Sequence, residues 1–110
     1  MANQEAPPDW NLFSIADLAS QVDDAGFRTF LKVPALSLGL YRIPAGSKDM
    51  QSPHDDDEVY YVLEGKARVQ VLDEVRDVSP GDLLYVRATE KHHFFEIEED
   101  MLMLVFFANG

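Results

Sequence analysis

No cysteine occurs anywhere in the 110 residues. That absence removes disulfides, thiolate metal ligands and cysteine nucleophiles together. Positive charge is scarce as well: nine Lys and Arg stand against twenty Asp and Glu, a formal charge of −11. A field of that sign repels phosphate backbones, so neither nucleic acid nor an anionic membrane is an expected partner. It favours a divalent metal or a small cationic or neutral ligand over a polyanion. Long hydrophobic runs are missing too, since the longest, Met101 to Ala108, has strand length rather than membrane-span length. The first eight residues are polar and proline-containing, without the apolar stretch of a signal peptide. The expectation is a soluble, cytoplasmic protein that handles small molecules.

What is present fits one folded domain. Hydrophobic residues make up 46% of the chain, enough for one core at this length. Ser14-Ile-Ala-Asp17 has the form of a helix N-terminus, with Ser14 as cap and a helix from Ile15 to about Val22. Gly26 is placed to end that segment. The pattern then changes to short β-rich runs: Phe27–Val33, Ala35–Ile43, Glu58–Leu63, Ala67–Leu72, Leu83–Val86, His93–Ile97 and Met101–Phe107. Pro34, Pro44-Ala-Gly46, Glu64-Gly65, Asp73-Glu74 and Pro80-Gly81-Asp82 separate them. Many short strands with such punctuation predict an all-β sandwich or barrel. Residues 1–26 are read as an arm and short helix, and 27–110 as the β domain.

Two stretches bring histidine beside turn and strand signals. Side chains alternate along a strand, so Ser52, His54, Glu58, Tyr60 and Val62 share one face if the strand is regular. A lone Glu58 ahead of an apolar run must sit at a barrel mouth, be paired, or bind a metal, because bare burial is costly. In the second stretch His92 and His93 point to opposite faces. One face carries His92 with Phe94; the other, with His93, Phe95 and Ile97, is the more apolar. The Asp55-Asp56-Asp57 run reads as a solvated bend, with Asp56 a lesser ligand candidate.

The spacing resembles that of the cupin superfamily, small double-stranded β-helix barrels of jelly-roll type that commonly hold a metal. Gly46, five residues, Ser52-Pro53-His54, three residues, Glu58, six residues and Gly65 fit the register of the first cupin motif. Ser52 stands where that motif has its first histidine. Gly81, five residues, Arg87-Ala88-Thr89, two residues and His92 match the second motif's spacing. There Arg87 and Thr89 replace Pro and Gly, and Glu96 stands where Asn is common. The similarity covers roughly residues 35 to 108.

The resemblance implies His54, Glu58 and His92 as metal ligands, with Ser52 a weak ligand or a donor to bound water. Such a two-His, one-carboxylate set with open positions suits iron(II), and nickel, manganese or zinc can also bind it. Glu58 and Tyr60 are the candidate catalytic groups; Arg87, Tyr85, Phe94 and Phe106 are the candidate substrate contacts, Arg87 as a carboxylate clamp. The leading expectation is a metal-dependent, dioxygenase-like enzyme acting on a small organic molecule. A metal-dependent isomerase, lyase or hydrolase, and a non-catalytic ligand-binding or sensory barrel, are the alternatives. Met101-Leu-Met-Leu-Val-Phe-Phe107 is apolar on both strand faces, which leads to the expectation of a homodimer.

Overall fold

The computed structural model describes residues 9–22, 26–49 and 55–108. One helix, α1 (Ile15–Ala19), precedes six strands: β1 (Gly26–Lys32), β2 (Leu36–Ile43), β3 (Glu58–Val71), β4 (Glu74–Val78), β5 (Leu83–Val86) and β6 (His92–Ala108). The expected all-β architecture with a short N-terminal helix is what the chain forms. Ser14 caps α1, its Oγ accepting from the Asp17 N–H. The helix ends at Ala19, short of the expected Val22. Ser20 Oγ donates to the Asp17 carbonyl, and Arg42 Nη2 donates to the Ala19 carbonyl. Both contacts satisfy carbonyls that a longer helix would have used.

The strands are antiparallel in the order β1-β2-β6-β3-β4, with β5 on the free flank of β3. Two long strands dominate, and each absorbs a break expected from the sequence. β3 continues without a break through Gly65, which takes φ +101° where Asp100 O and Met101 Cα lie 2.5 and 2.7 Å from where a Cβ would be. The strand's parity changes there: Glu58, Tyr60 and Val62 are buried before the bend, Ala67 and Val69 after it. β6 joins the two expected strands His93–Ile97 and Met101–Phe107 into one. Glu96, at φ +49°, inserts the residue that lets His92, Phe94 and then Ile97 all face inward. Because β3 and β6 pair along nearly their whole lengths, their two halves close on a single core. Tyr60, Val62, Val69, Phe94, Met101, Met103 and Val105 lie in it.

β4 was not anticipated. Glu74-Val-Arg-Asp-Val78 carries charge on both faces, yet a two-residue loop, Leu72-Asp73, folds it back onto β3. Arg68 fastens it to Asp77 at 3.2 Å. Only Val78 reaches the core, and β4 forms one edge of the sheet.

Candidate functional site

Three polar side chains meet inside the barrel. Glu58 opens β3, Tyr60 follows on the same face, and His92 opens β6; each is at most 7% exposed. Tyr60 Oη lies 2.8 Å from Glu58 Oε2 and 2.9 Å from His92 Nε2. His92 Nε2 and Glu58 Oε1 are 3.5 Å apart. The Tyr60 ring packs edge-on against both His92 and Phe94, so the cluster is backed by aromatic surface.

Hydrogen-bond counting fixes one tautomer. The Glu90 carbonyl sits 2.9 Å from His92 Nδ1 and can only accept, so Nδ1 carries the proton and donates. Nε2 is the nitrogen turned to Tyr60 and Glu58. Tyr60 Oη donates to Glu58 Oε2 and stands within hydrogen-bond distance of Nε2, so the phenol bridges the carboxylate and the imidazole.

The flanks of the site are pinned by carboxylates. Asp49 accepts from Tyr41 Oη at 2.6 Å and from the Phe94 N–H at 2.9 Å, tying the start of the first motif to β2 and β6. That bond, after the larger effect of burial, pushes the Tyr41 phenol well above the usual tyrosine range. Asp57 accepts from the Ala88 N–H at 2.8 Å and joins the start of β3 to the turn before His92. In that turn the Glu90 N–H bonds the Arg87 carbonyl, and Thr89 sits at φ +68°. A type II turn needs positive φ at this place, so Thr89 adopts the conformation of the glycine it replaces. The turn then presents the Glu90 carbonyl to His92.

Of the residues expected at the site, Glu58, Tyr60, His92 and Phe94 come together. His54 and Ser52 lie outside the described residues. His93 is exposed. Arg87 is not brought in: it lies on the surface, where Nη2 donates to Glu90 Oε1 at 2.7 Å. Tyr85 and Phe106 pair with Val59 from its two sides, so neither faces the cluster; Tyr85 instead borders the pocket beside β4. The inward position at that level belongs to Phe107, opposite Glu58. Among Asp55–Asp57, Asp55 and Asp57 are exposed and Asp57 serves the Ala88 turn.

Sequence reading did not anticipate the pocket that β4 borders. Val71 pairs with His92 on one side and Glu74 on the other; Val69 pairs likewise with Phe94 and Arg76. Cross-strand partners share a face, so Glu74 and Arg76 point to the barrel side. Together with Tyr85 and with Leu84, the partner of Tyr60, these residues line a pocket of about 280 Å³ one strand over from His92 and Phe94, with none of Glu58, Tyr60 and His92 in its lining. The signal available was the Leu72-Asp73 turn followed by alternating Glu74, Arg76 and Val78.

The donors present fit a first-row metal. A carboxylate oxygen and an imidazole nitrogen sharing one ion at about 2.0–2.2 Å would stand roughly 3.0–3.5 Å apart, and Glu58 Oε1 and His92 Nε2 do. An Nδ1–H held by a backbone carbonyl is also the usual support of a ligating histidine. Among the described residues no three of His, Cys, Asp and Glu gather in one place.

Comparison with known proteins gives the family. A family model described as "Cupin domain" matches residues 39–107. An uncharacterized protein of Streptomyces coelicolor is 41% identical over 86 residues, 78% of this chain and 82% of its own. The solved structure of the DMSP lyase DddQ from Ruegeria pomeroyi superposes with a TM-score of 0.72 at 19% identity, covering 78% of this chain and 47% of the lyase. A salicylate 1,2-dioxygenase variant from Pseudoaminobacter salicylatoxidans, solved with gentisate, gives a TM-score of 0.68 at 18% identity, over 74% of this chain and 24% of that one. This chain thus spans under half the length of either enzyme, and the likeness to them is one of fold. With the motif register, the antiparallel barrel and the family match in agreement, the chain belongs to the cupin family.

Proposed function

We propose that this chain is a small metal-binding cupin in which Glu58 and His92, with His54 as the third ligand, hold one divalent transition metal. Iron(II) is the first choice, with nickel, manganese or zinc as substitutes, because two imidazoles and a carboxylate with open positions are the donor set of non-haem iron oxygenases. The observation that carries this reading is the buried Glu58–His92 pair, with Nε2 turned toward the carboxylate by the Glu90 carbonyl. Once bound, the ion would supply a Lewis acid with coordination positions left for substrate and dioxygen. Phe94 keeps water from one side of the cluster, and Tyr60 stands ready to hold or pass a proton at Oη. The activity proposed is a dioxygenase-like oxidation of a small organic molecule in the cytoplasm.

One observation favours a second reading. A phenol touching both a carboxylate and an imidazole is a proton relay, which suits a metal-dependent lyase, isomerase or hydrolase. The fold likeness extends to a lyase as well as to a dioxygenase.

Elemental analysis of protein purified without added metal should find iron, nickel, manganese or zinc, and adding the metal to stripped protein should raise Tm by mass action. His92→Ala should abolish that rise. Protein that neither carries metal nor responds to it would leave only the ligand-binding barrel. Turnover that survives strict exclusion of dioxygen would select the lyase or isomerase reading.

We also propose that the chain forms a homodimer. The outward positions Leu83, Tyr85, Val59, Tyr61 and Phe106 make an uncharged, largely exposed row across β5, β3 and β6. Two copies of charge −11 can meet there without setting acid against acid. Sedimentation should give twice the chain mass, and Leu83→Glu should give the single chain.

A further inference from the structure

The register of β4 assigns a role to the pocket beside the cluster. Its floor is Val69, Val71 and Leu84, the direct partners of Phe94, His92 and Tyr60. At about 280 Å³ it is near the lower end of small-molecule sites. Leu72 overhangs it at φ +56°, at the first position of a two-residue hairpin loop where glycine is usual. An exposed apolar side chain held in that conformation gives the pocket a greasy lip. Arg76 is the cation among the lining residues. It stands one strand beyond Val69 and two beyond Phe94, about 10 Å from the aromatic wall of the cluster at the usual strand spacing.

We propose that the pocket takes a small organic acid with an apolar body, the body lying on Val69, Val71 and Leu84 and the carboxylate on Arg76. The assignment rests on the lining of the pocket and not on the metal reading. Arg76 already holds a carboxylate, since Nη2 donates to Glu74 Oε2 at 2.9 Å. Both side chains are largely exposed, so their pair contributes little and is readily exchanged. A guanidinium also offers a two-pronged fork that a ligand carboxylate can fill. Glu74 therefore acts as a placeholder that swings into solvent when the acid arrives. Asp73 and Glu74 at the rim oppose a second negative charge, which limits the ligand to a monocarboxylate. The structural alternatives are an inward charge pair that only blunts an edge strand, and an ammonium site built on Glu74.

Three probes of one skeleton separate these: 4-hydroxyphenylacetate, its neutral amide, and tyramine. Each is titrated into metal-free, isotope-labelled protein, with the Val69, Val71 and Leu84 methyl resonances as readout. The acid should bind about tenfold tighter than the amide, the usual increment of a charge-assisted bond. Arg76→Gln should bring acid and amide to equal affinity, and Glu74→Gln should tighten the acid by removing its competitor. Both sites are exposed, and an unchanged Tm will show that the variants fold. An acid-to-amide ratio that survives R76Q overturns the proposal. So does tyramine binding tightest and weakening in E74Q, and so does the absence of methyl shifts with all three probes. Because no metal is present, failure here is distinct from failure of the metal reading, which appears in the melts.

Discussion

Replacing Tyr60 by Phe removes one oxygen from the centre of the buried cluster and changes little else. Tyr60 is 1% exposed, and its ring contacts with His92 and Phe94 survive in the variant. Among the described residues two hydrogen bonds are lost, at 2.8 Å to Glu58 and 2.9 Å to His92. Deleting a bond to a charged group costs about 1.5–3 kcal/mol, and the more apolar Phe ring returns part of the loss. A net destabilisation of roughly 2–3 kcal/mol should lower the Tm of the metal-free protein by about 10 °C or more. The same melt with saturating metal supplies the second half of the cycle. Metal binding makes Nε2 surrender its contact with Tyr60, a cost the Phe variant does not bear. The gap between wild type and variant should therefore narrow with metal. Equal melting temperatures without metal would refute the bridging role of Tyr60. A gap that widens with metal would refute the ligand assignment, because Tyr60 would then be supporting the ion itself.

The other expectations are quick to check. His93→Ala should leave the metal-induced rise in Tm intact while His92→Ala removes it, since only His92 is buried against Glu58. Thr89→Gly should raise stability by about 0.5–1 kcal/mol in denaturant melts, because a β-branched residue at φ +68° is strained by more than the chain entropy glycine adds; an unchanged midpoint would mean the turn carries no strain. Tyr41 links stability to alkaline pH. Burial and the bond to Asp49 raise its folded pKa above the ordinary value of 10.0, so its contribution is complete below pH 10 and is lost as pH rises toward the folded value. Stability should fall above pH 10 in wild type and less steeply in Tyr41→Phe, and parallel slopes would exclude this linkage.

How far the sequence revealed the fold depended on how buried each strand is. β2, β5 and the first half of β3 were legible because their apolar residues form runs bounded by Pro, Gly and Asp. Gly65 misled, since glycine between two apolar runs normally separates strands. Here a single strand bends through it, because only a residue without Cβ lets Asp100 and Met101 pass so close. α1 was started correctly by Ser14 and stopped early by a tertiary contact, Arg42 on the Ala19 carbonyl, from 23 residues away in sequence.

The site shows the same division more sharply. Glu58 and Tyr60 were placed on one face by simple alternation, and alternation holds there because the first half of β3 is regular. For β6 the same rule gave two answers, His92 with Phe94 or His93 with Ile97. The Glu96 bulge dissolves the choice, since one inserted residue allows His92, Phe94 and Ile97 to share the inner face. A bulge at a glutamate leaves no mark in hydropathy. Arg87 was favoured as a carboxylate clamp because a guanidinium can grip a carboxylate bidentately, and it lies on the surface beside Glu90, away from the cluster. Arg76 drew no notice in the sequence, where Glu74-Val-Arg-Asp-Val78 presents no continuous apolar face. A strand that lines the open mouth of a barrel has no need of one: its inward side chains meet water or ligand rather than core. Charge on the inner face of an edge strand is thus where pattern reading fails and where a binding residue is best sought, and only the pairing of Val69 with Arg76 brings it into view.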